Sequence, residues 1–523
     1  MTTRMRQAVV LLAVGVIGPA AGVVGWMQLG GAEDGQTRTA SVDAALRLPR
    51  IYPDYRDLVI PPNIAPLNFR IDEPGQRFRV RMKGRQGSPV ELTGRSPKIE
   101  IPIKAWRRLL FENRGHEFVT QISVRDATGQ WHDYQPFVNR VAEEQIDRYL
   151  AYRRLRPDSL YYRDIGVYQR DLQTYDERVV LHGRWFREGC VNCHSFWNGT
   201  TDQMTLGFRS DYGDATLLIQ KGQVSVVGTR FGHTTWHPSG RVVAFSQFDI
   251  RLFYHTARSQ TRDAMEFDSL LGYFRVDTKS LHTAPQIADK AQLETHPYWS
   301  PDGKYLYFAS ARMLWNHKTA FPPKRFDEVR YDMKRVPYDV DTDTWGEVET
   351  VLSSEDTGKS ILTPRVSPDG RFVLFCMCNY GCFALYQPES DLYLLDLKSG
   401  QYKRLDCNSE FAESWHAWSR NGRWIVFSSK RPTGVFTRLF LCHIDADGNT
   451  SKPFLLPQRD PSFYDDFLYM YNVPEFATAP VQISPRKLVQ AVRSAPRIEV
   501  DAITSPTPSA PSERQRPYAP DFD

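Results

Sequence analysis

Cys190, Cys193 and His194, within REGCVNCHSFW at residues 187–197, put two thiols separated by two residues ahead of an adjoining imidazole. That is the order a covalently held haem requires: each thiol adds to a vinyl group of the macrocycle, and the next side chain ligates iron. The spacing assigns Cys190 and Cys193 to the thioethers of one haem c and His194 to the proximal iron position. The same two thiols could form a redox disulfide or half of a zinc site, but a zinc ribbon needs a second ligand pair at similar spacing, and none is obvious.

What such a haem would do turns on the other axial position. A Met or His there closes the site for electron transfer, whereas an open position admits a small ligand. Met204 in TDQMTLGF, ten residues past His194, is the first candidate for the distal iron ligand, set against ordinary core packing of a strand methionine. His233, His237 and His296 come next, and Met377 is more remote. His237, His296 and His416 all lie beside a repeated turn, where a histidine can instead bond backbone between blades. No GxSxG serine elbow, HExxH or glycine-rich phosphate loop occurs, so no catalytic residue is assigned.

Covalent haem is attached outside the cytoplasm, so the elements that deliver and position the motif come next. Residues 1–31 place Arg4 and Arg6 before an uncharged run from Ala8 to Leu29, with Glu33 and Asp34 beyond it. This predicts a signal anchor with its positive end inside, the run of residues 8–29 associating with the inner membrane and Trp26 at the interface. Small residues such as Ala20, Ala21 and Ala32 offer the alternative of a cleaved signal peptide. Either way the bulk of the chain is expected on the periplasmic side, anchored or soluble.

The chain has 523 residues, 13% of them aromatic, and a net charge of +5 spread along its length. The length predicts two or three units after the anchor. The charge makes no basic tract, so a nucleic-acid partner is not expected. Residues 32–59 read as a tether. From 60 to 140, short alternating stretches such as LNFRI, RFRVRMKG and EFVTQISVRDATGQW predict a small β-sandwich. Residues 141–200 read as a helical connector, VAEEQIDRYLAYRRL, followed by the c-type haem segment with its aromatic neighbours Tyr161, Tyr162, Tyr168, Trp185, Phe186, Phe196 and Trp197.

Residues 201–481 carry a repeat. TTWHPSGRVVAFS, HPYWSPDGKYLYFAS, TPRVSPDGRFVLFCM and SWHAWSRNGRWIVFSS align on Gly240, Gly303, Gly370 and Gly422, each followed five residues later by phenylalanine: Phe245, Phe308, Phe375 and Phe427. Pro, Asp or Asn, and Gly at the turn supply the dihedral angles of a tight hairpin. With the further strands between them, these hairpins predict four-stranded blades closing into a β-propeller, with six blades expected. In the third repeat Cys376, Cys378 and Cys382 cluster, open to a metal site, a disulfide or plain buried thiols. Residues 482–523, rich in Pro and Ser, predict a disordered tail.

The WSPDGK and SPDGR motifs resemble the TolB-like propeller repeat. Together with GVYQRDL, CVNCHSF, KPFLLPQRDP and YNVPEF, they resemble a family of exported bacterial proteins that join one c-type haem segment to a TolB-like propeller. The resemblance spans roughly residues 160–480. It implies a mainly β protein, a single haem c and a propeller face that binds a redox protein partner. The expectation is electron transfer. The alternatives are a haem-dependent oxidoreductase with an open iron, and a binding scaffold whose haem is structural or sensory.

Overall fold

A computed structural model of the protein describes residues 47–157, 164–255, 260–316, 319–501 and 503. The fold is mainly β, with many sheets and few helices. The segment 1–31 expected as an anchor lies outside the described residues, and among the described ones no helix is long and apolar enough to cross a membrane.

Six sheets, four of four strands and two of five, follow one another around a ring, antiparallel except for one added edge strand in the first. Their first strands are Cys190–Trp197, Gly232–Trp236, Gln292–Trp299, Ser360–Val366, Glu413–Trp418 and Met470–Ala477. Each first strand packs beside that of the next sheet, and the last packs beside the first. These six strands therefore surround a common axis, and the arrangement is a β-propeller.

The sixth blade is composite. Met470–Ala477 pairs with Tyr149–Leu155, which continues into Gly166–Asp171 and Glu177–His182. Residues 149–155, expected to end a helical connector, are thus a strand. Leu150, Ala151 and Tyr152 are all buried there, because a strand between two others hides both faces and does not need alternation. The motif Cys190–His194, expected in a segment of its own before the propeller, lies in the innermost strand of the first blade, Cys190–Trp197.

The aligned turns are hairpins: Gly240, Gly303, Gly370 and Gly422 all take positive φ, between 65° and 74°. The four phenylalanines that follow are fully buried between blades.

The N-terminal unit holds a six-stranded sheet and a three-stranded sheet. A helix, Ile103–Glu112, buries Trp106, Leu109 and Leu110 against them. The unit is fixed to the fifth blade and the loop after it. Tyr55 donates to Leu455 O at 3.1 Å, Asn68 to Arg459 O at 2.8 Å, and Lys98 pairs with Asp460 at 2.9 Å.

The expected disordered tail is ordered in its first part: Pro485–Ser494 is a helix capped by Ser484, and Arg497–Ile498 adds a parallel edge strand to the first blade. Leu488, Ala491 and Val492 give that helix one buried apolar face, which offsets the ordering cost. Residues 504–523 lie outside the described residues.

Candidate functional site

Each of the six innermost strands has a register break that carries a non-glycine residue in the left-handed region: Cys193, His233, His296, Thr363, Trp415 and Val473, with φ between 44° and 54°. Six bulges at one level of the propeller form a ring. In every case an aromatic residue or valine follows three positions later: Phe196, Trp236, Trp299, Val366, Trp418 and Phe476. CHSF is thus the first blade's version of the same element as HTTW, HPYW, TPRV, WHAW and VPEF. A left-handed conformation at a bulky side chain costs of order 1–3 kcal/mol, so a strain repeated six times marks a level where side chains must be re-aimed.

Three of them meet at the axis. The His233 and His296 rings, from neighbouring blades, lie 4.3 Å apart between centroids with a 31° tilt. The Trp415 ring, from the fifth blade, reaches across to within 5.6 Å of His233 and 5.9 Å of His296. Contact between the second and fifth of six blades requires both side chains to enter the channel.

His194 directly follows the first bulge. Its side chain is fully buried, and neither ring nitrogen has a hydrogen-bond partner. Glu475 Oε2 stands 4.0 Å from Nε2, beyond hydrogen-bond reach, while Glu475 Oε1 accepts from the Phe196 N–H at 2.9 Å. Burial, with Arg153 nearby, pushes the His194 pKa down to about 3, so the imidazole is neutral and its lone pair free. Burial pushes Glu475 up to about 8.

The same pattern holds at the ring. His233 Nδ1, both nitrogens of His296 and Trp415 Nε1 are buried without partners. Burial, then Arg365, Arg153 and Arg230, takes His233 to about 3, and burial beside His233 and Arg365 takes His296 well below its ordinary value. The cysteines have cationic company. Arg209 Nη2 lies 3.9 Å from Cys190 Sγ, and both thiols act on the buried Arg230 guanidinium.

Other histidines expected as alternatives are satisfied. His237 Nδ1 meets Ser239 Oγ at 2.8 Å and its Nε2 meets Gly303 O at 2.9 Å, clamping the next blade's turn. A Cβ at Gly303 would stand 2.5 Å from His237 Nε2, so this approach also requires glycine. His416 Nε2 meets Leu374 O at 3.0 Å and its Nδ1 lies 3.5 Å from Cys376 Sγ.

Met204 is fully buried opposite Phe196 in the adjacent strand, within an apolar cluster that includes Val191, Leu206 and Phe208. Since Leu206 pairs with His194, Met204 and His194 project from one face of the same sheet. Met377 is buried in the strand Phe372–Cys378. Cys376, Cys378 and Cys382 are buried free thiols, and burial raises the Cys376 pKa to about 12, which makes it inert. Among the described residues no group of three or more His, Cys, Asp or Glu is placed to hold a metal ion by itself.

The residues present fit a haem c in their chemistry. Two thiols and an imidazole without any protein partner share one strand, and a buried orphan nitrogen costs about 1–3 kcal/mol unless a further group satisfies it.

No known protein-family profile matches the chain. It is 27% identical over 199 residues to the uncharacterized protein Atu1656 of Agrobacterium fabrum, a match covering 34% of this chain and 63% of that protein. The chain thus spans under two thirds of that relative's length. Among solved structures, the β-propeller domain of the Trilobed protease from Pyrococcus furiosus aligns at 12% identity and a TM-score of 0.30, covering 65% of this chain and 91% of that one. Prolyl oligopeptidase B from Galerina marginata aligns at 11% identity and a TM-score of 0.30, covering 58% and 48%. The tricorn protease aligns at 12% and 0.31, covering 65% and 34%. The propeller stands on the sheet order above, and likenesses this distant add nothing to it.

Proposed function

We propose that the protein is a monohaem c-type cytochrome of the periplasm that transfers electrons, with a TolB-like propeller of six blades as the platform for a redox partner protein. The observation that carries this reading is His194: a buried, neutral imidazole with two partnerless nitrogens, directly after Cys193 at a bulge of the ring. Cys190 and Cys193 would hold the haem by thioethers and His194 would ligate its iron; the group supplies a one-electron couple when bound.

The chain's own residues supply the rest. Burial keeps the His194 lone pair unprotonated at neutral pH. Arg209 and Arg230 place positive charge beside the two thiols. Blades packed through buried phenylalanines hold the site rigid, which suits electron transfer because little has to reorganise. The leading segment 8–29 would keep the protein at the outer surface of the inner membrane.

A pyridine haemochrome spectrum and a haem-stained denaturing gel of the protein, matured with a c-type attachment system, test the reading. Haem that survives denaturation in the wild type and is lost in Cys190→Ala/Cys193→Ala supports it. Absence of haem from the wild type sinks it.

A further inference from the structure

We infer that Cys407 and Cys442 close a disulfide bond between the fourth and fifth blades once the chain is in an oxidising compartment. The inference rests on the periplasmic reading above and adds a covalent tie between two cysteines far apart in sequence.

Three observations bring the two thiols together. First, both are held by one short stretch of the fifth blade. Cys407 lies just beyond the fourth blade's outer strand, Tyr402–Arg404, and its N–H donates to Thr450 Oγ1 at 3.2 Å. Cys442 lies in the fifth blade's third strand, Arg438–His443, and its S–H donates to the carbonyl of the next residue, Ser451, at 3.0 Å. Second, Arg431 donates to Cys407 O at 2.8 Å and its charge acts on the Cys442 thiol, so one guanidinium touches both surroundings. Third, the two thiols are hydrogen-bonding neighbours of each other, and both residues are fully buried.

The other cysteines after the motif are engaged elsewhere. Cys376 Sγ lies 3.5 Å from His416 Nδ1, Cys378 Sγ donates to Tyr380 O at 3.3 Å, and Cys382 is paired with the Glu266 backbone and with Tyr331. Turning Cys442 from Ser451 O to Cys407 gives up only a weak S–H donor bond. Burial, with the Cys407 thiol beside it, holds the Cys442 thiol well above its ordinary range, so the bond must form while this part of the chain is still open.

The oxidant is a disulfide of the kind that thiol oxidases carry outside the cytoplasm. The Cys407 thiolate attacks one of its sulfurs, which forms a mixed disulfide and releases the other sulfur as a thiol. The Cys442 thiolate then attacks Cys407 Sγ and releases the second. Two electrons and the two thiol protons pass to the oxidant, and one S–S bond replaces another.

The test unfolds the full chain, exported with its own leading segment, in guanidinium with a maleimide and no reductant, then reduces it and adds a second maleimide of different mass. Peptide mapping should find the first label on Cys376, Cys378 and Cys382 and only the second on Cys407 and Cys442. The bond closes a loop of about 35 residues. Cys407→Ala and Cys442→Ala should therefore each lower the melting midpoint by about 5 °C, and the double variant no further, since all three lose the same bond. Thiols that only pack would give losses that add. Where an alanine variant does not fold, the label map of the wild type decides. A second arm refolds the reduced chain in glutathione disulfide. Pairing there but not in the exported protein upholds the pair and overturns the periplasmic reading. The first label on Cys407 and Cys442 in both arms overturns the inference and leaves that reading standing.

Discussion

His237 and His416 differ from His233 and His296 in what their nitrogens do, although all four lie on or next to the innermost strands of blades. The first two bond backbone carbonyls of neighbouring blades, His237 at Gly303 and His416 at Leu374. The other two enter the channel and bond nothing in the protein. One residue of offset around a bulge decides which: Trp415 takes the channel position in the fifth blade and His416 turns into the wall, while in the third blade His296 takes the channel. The lesson is that a histidine in a repeat acquires its role from its register: in the wall it bonds the backbone of a neighbouring blade, and in the channel it does not.

The contrast is sharpest in stability. His416→Ala, which strands the Leu374 carbonyl and opens a cavity, should cost about 2–4 kcal/mol, read as a lower denaturation midpoint in urea. The pH dependence should follow. Burial holds His416 near pKa 3, below its ordinary 6.5, so its contribution is fully present above pH 6.5 and is lost as pH falls toward 3. That loss is at most about 1.4 kcal/mol per pH unit, and His416→Gln, which keeps a donor for Leu374, should flatten the acid limb of a stability–pH curve. His237→Ala should cost less, about 1–2 kcal/mol, because its pocket is shallower and nearer solvent; thermal melts would read it. Smallest of all, His296→Gly in haem-free protein should shift the same midpoint by under about 1 kcal/mol, since relief of two orphan nitrogens offsets lost packing. A loss there as large as that of His416→Ala would erase the distinction between wall and channel histidines.

Much of this architecture is legible in the sequence because turn chemistry is local. Pro, Asp and Gly at each hairpin announced four blades, and their glycines adopt the positive φ those turns demand. The helix Ile103–Glu112 was hidden by its short length and by Pro102, which capped what reads as a strand, although Trp106, Leu109 and Leu110 recur at helical spacing. The strand Tyr149–Leu155 was hidden for a different reason: its neighbours are the next strand on one side and a strand from the far end of the chain on the other, and no local pattern reports such pairing. The two thiols and His194 are legible as a motif from residue type alone. That CHSF and VPEF belong to the same series as HTTW and WHAW needed the bulge, because without the SPDG turn after them only the spacing to Phe196 and Phe476 remains.

The composite sixth blade also sets an order of assembly. Tyr149–Leu155 waits for Met470–Ala477, so the ring stays open until nearly the whole chain has been delivered. Cys190 is buried at 6% exposure in a cluster with Leu155 and Met470, which face each other at one end of that closing pair. Chemistry on its thiol is therefore sterically open before the final strand docks and shut afterwards. The last strand acts as a latch: any chemistry on the Cys190 thiol has to come before it closes or wait until it lifts.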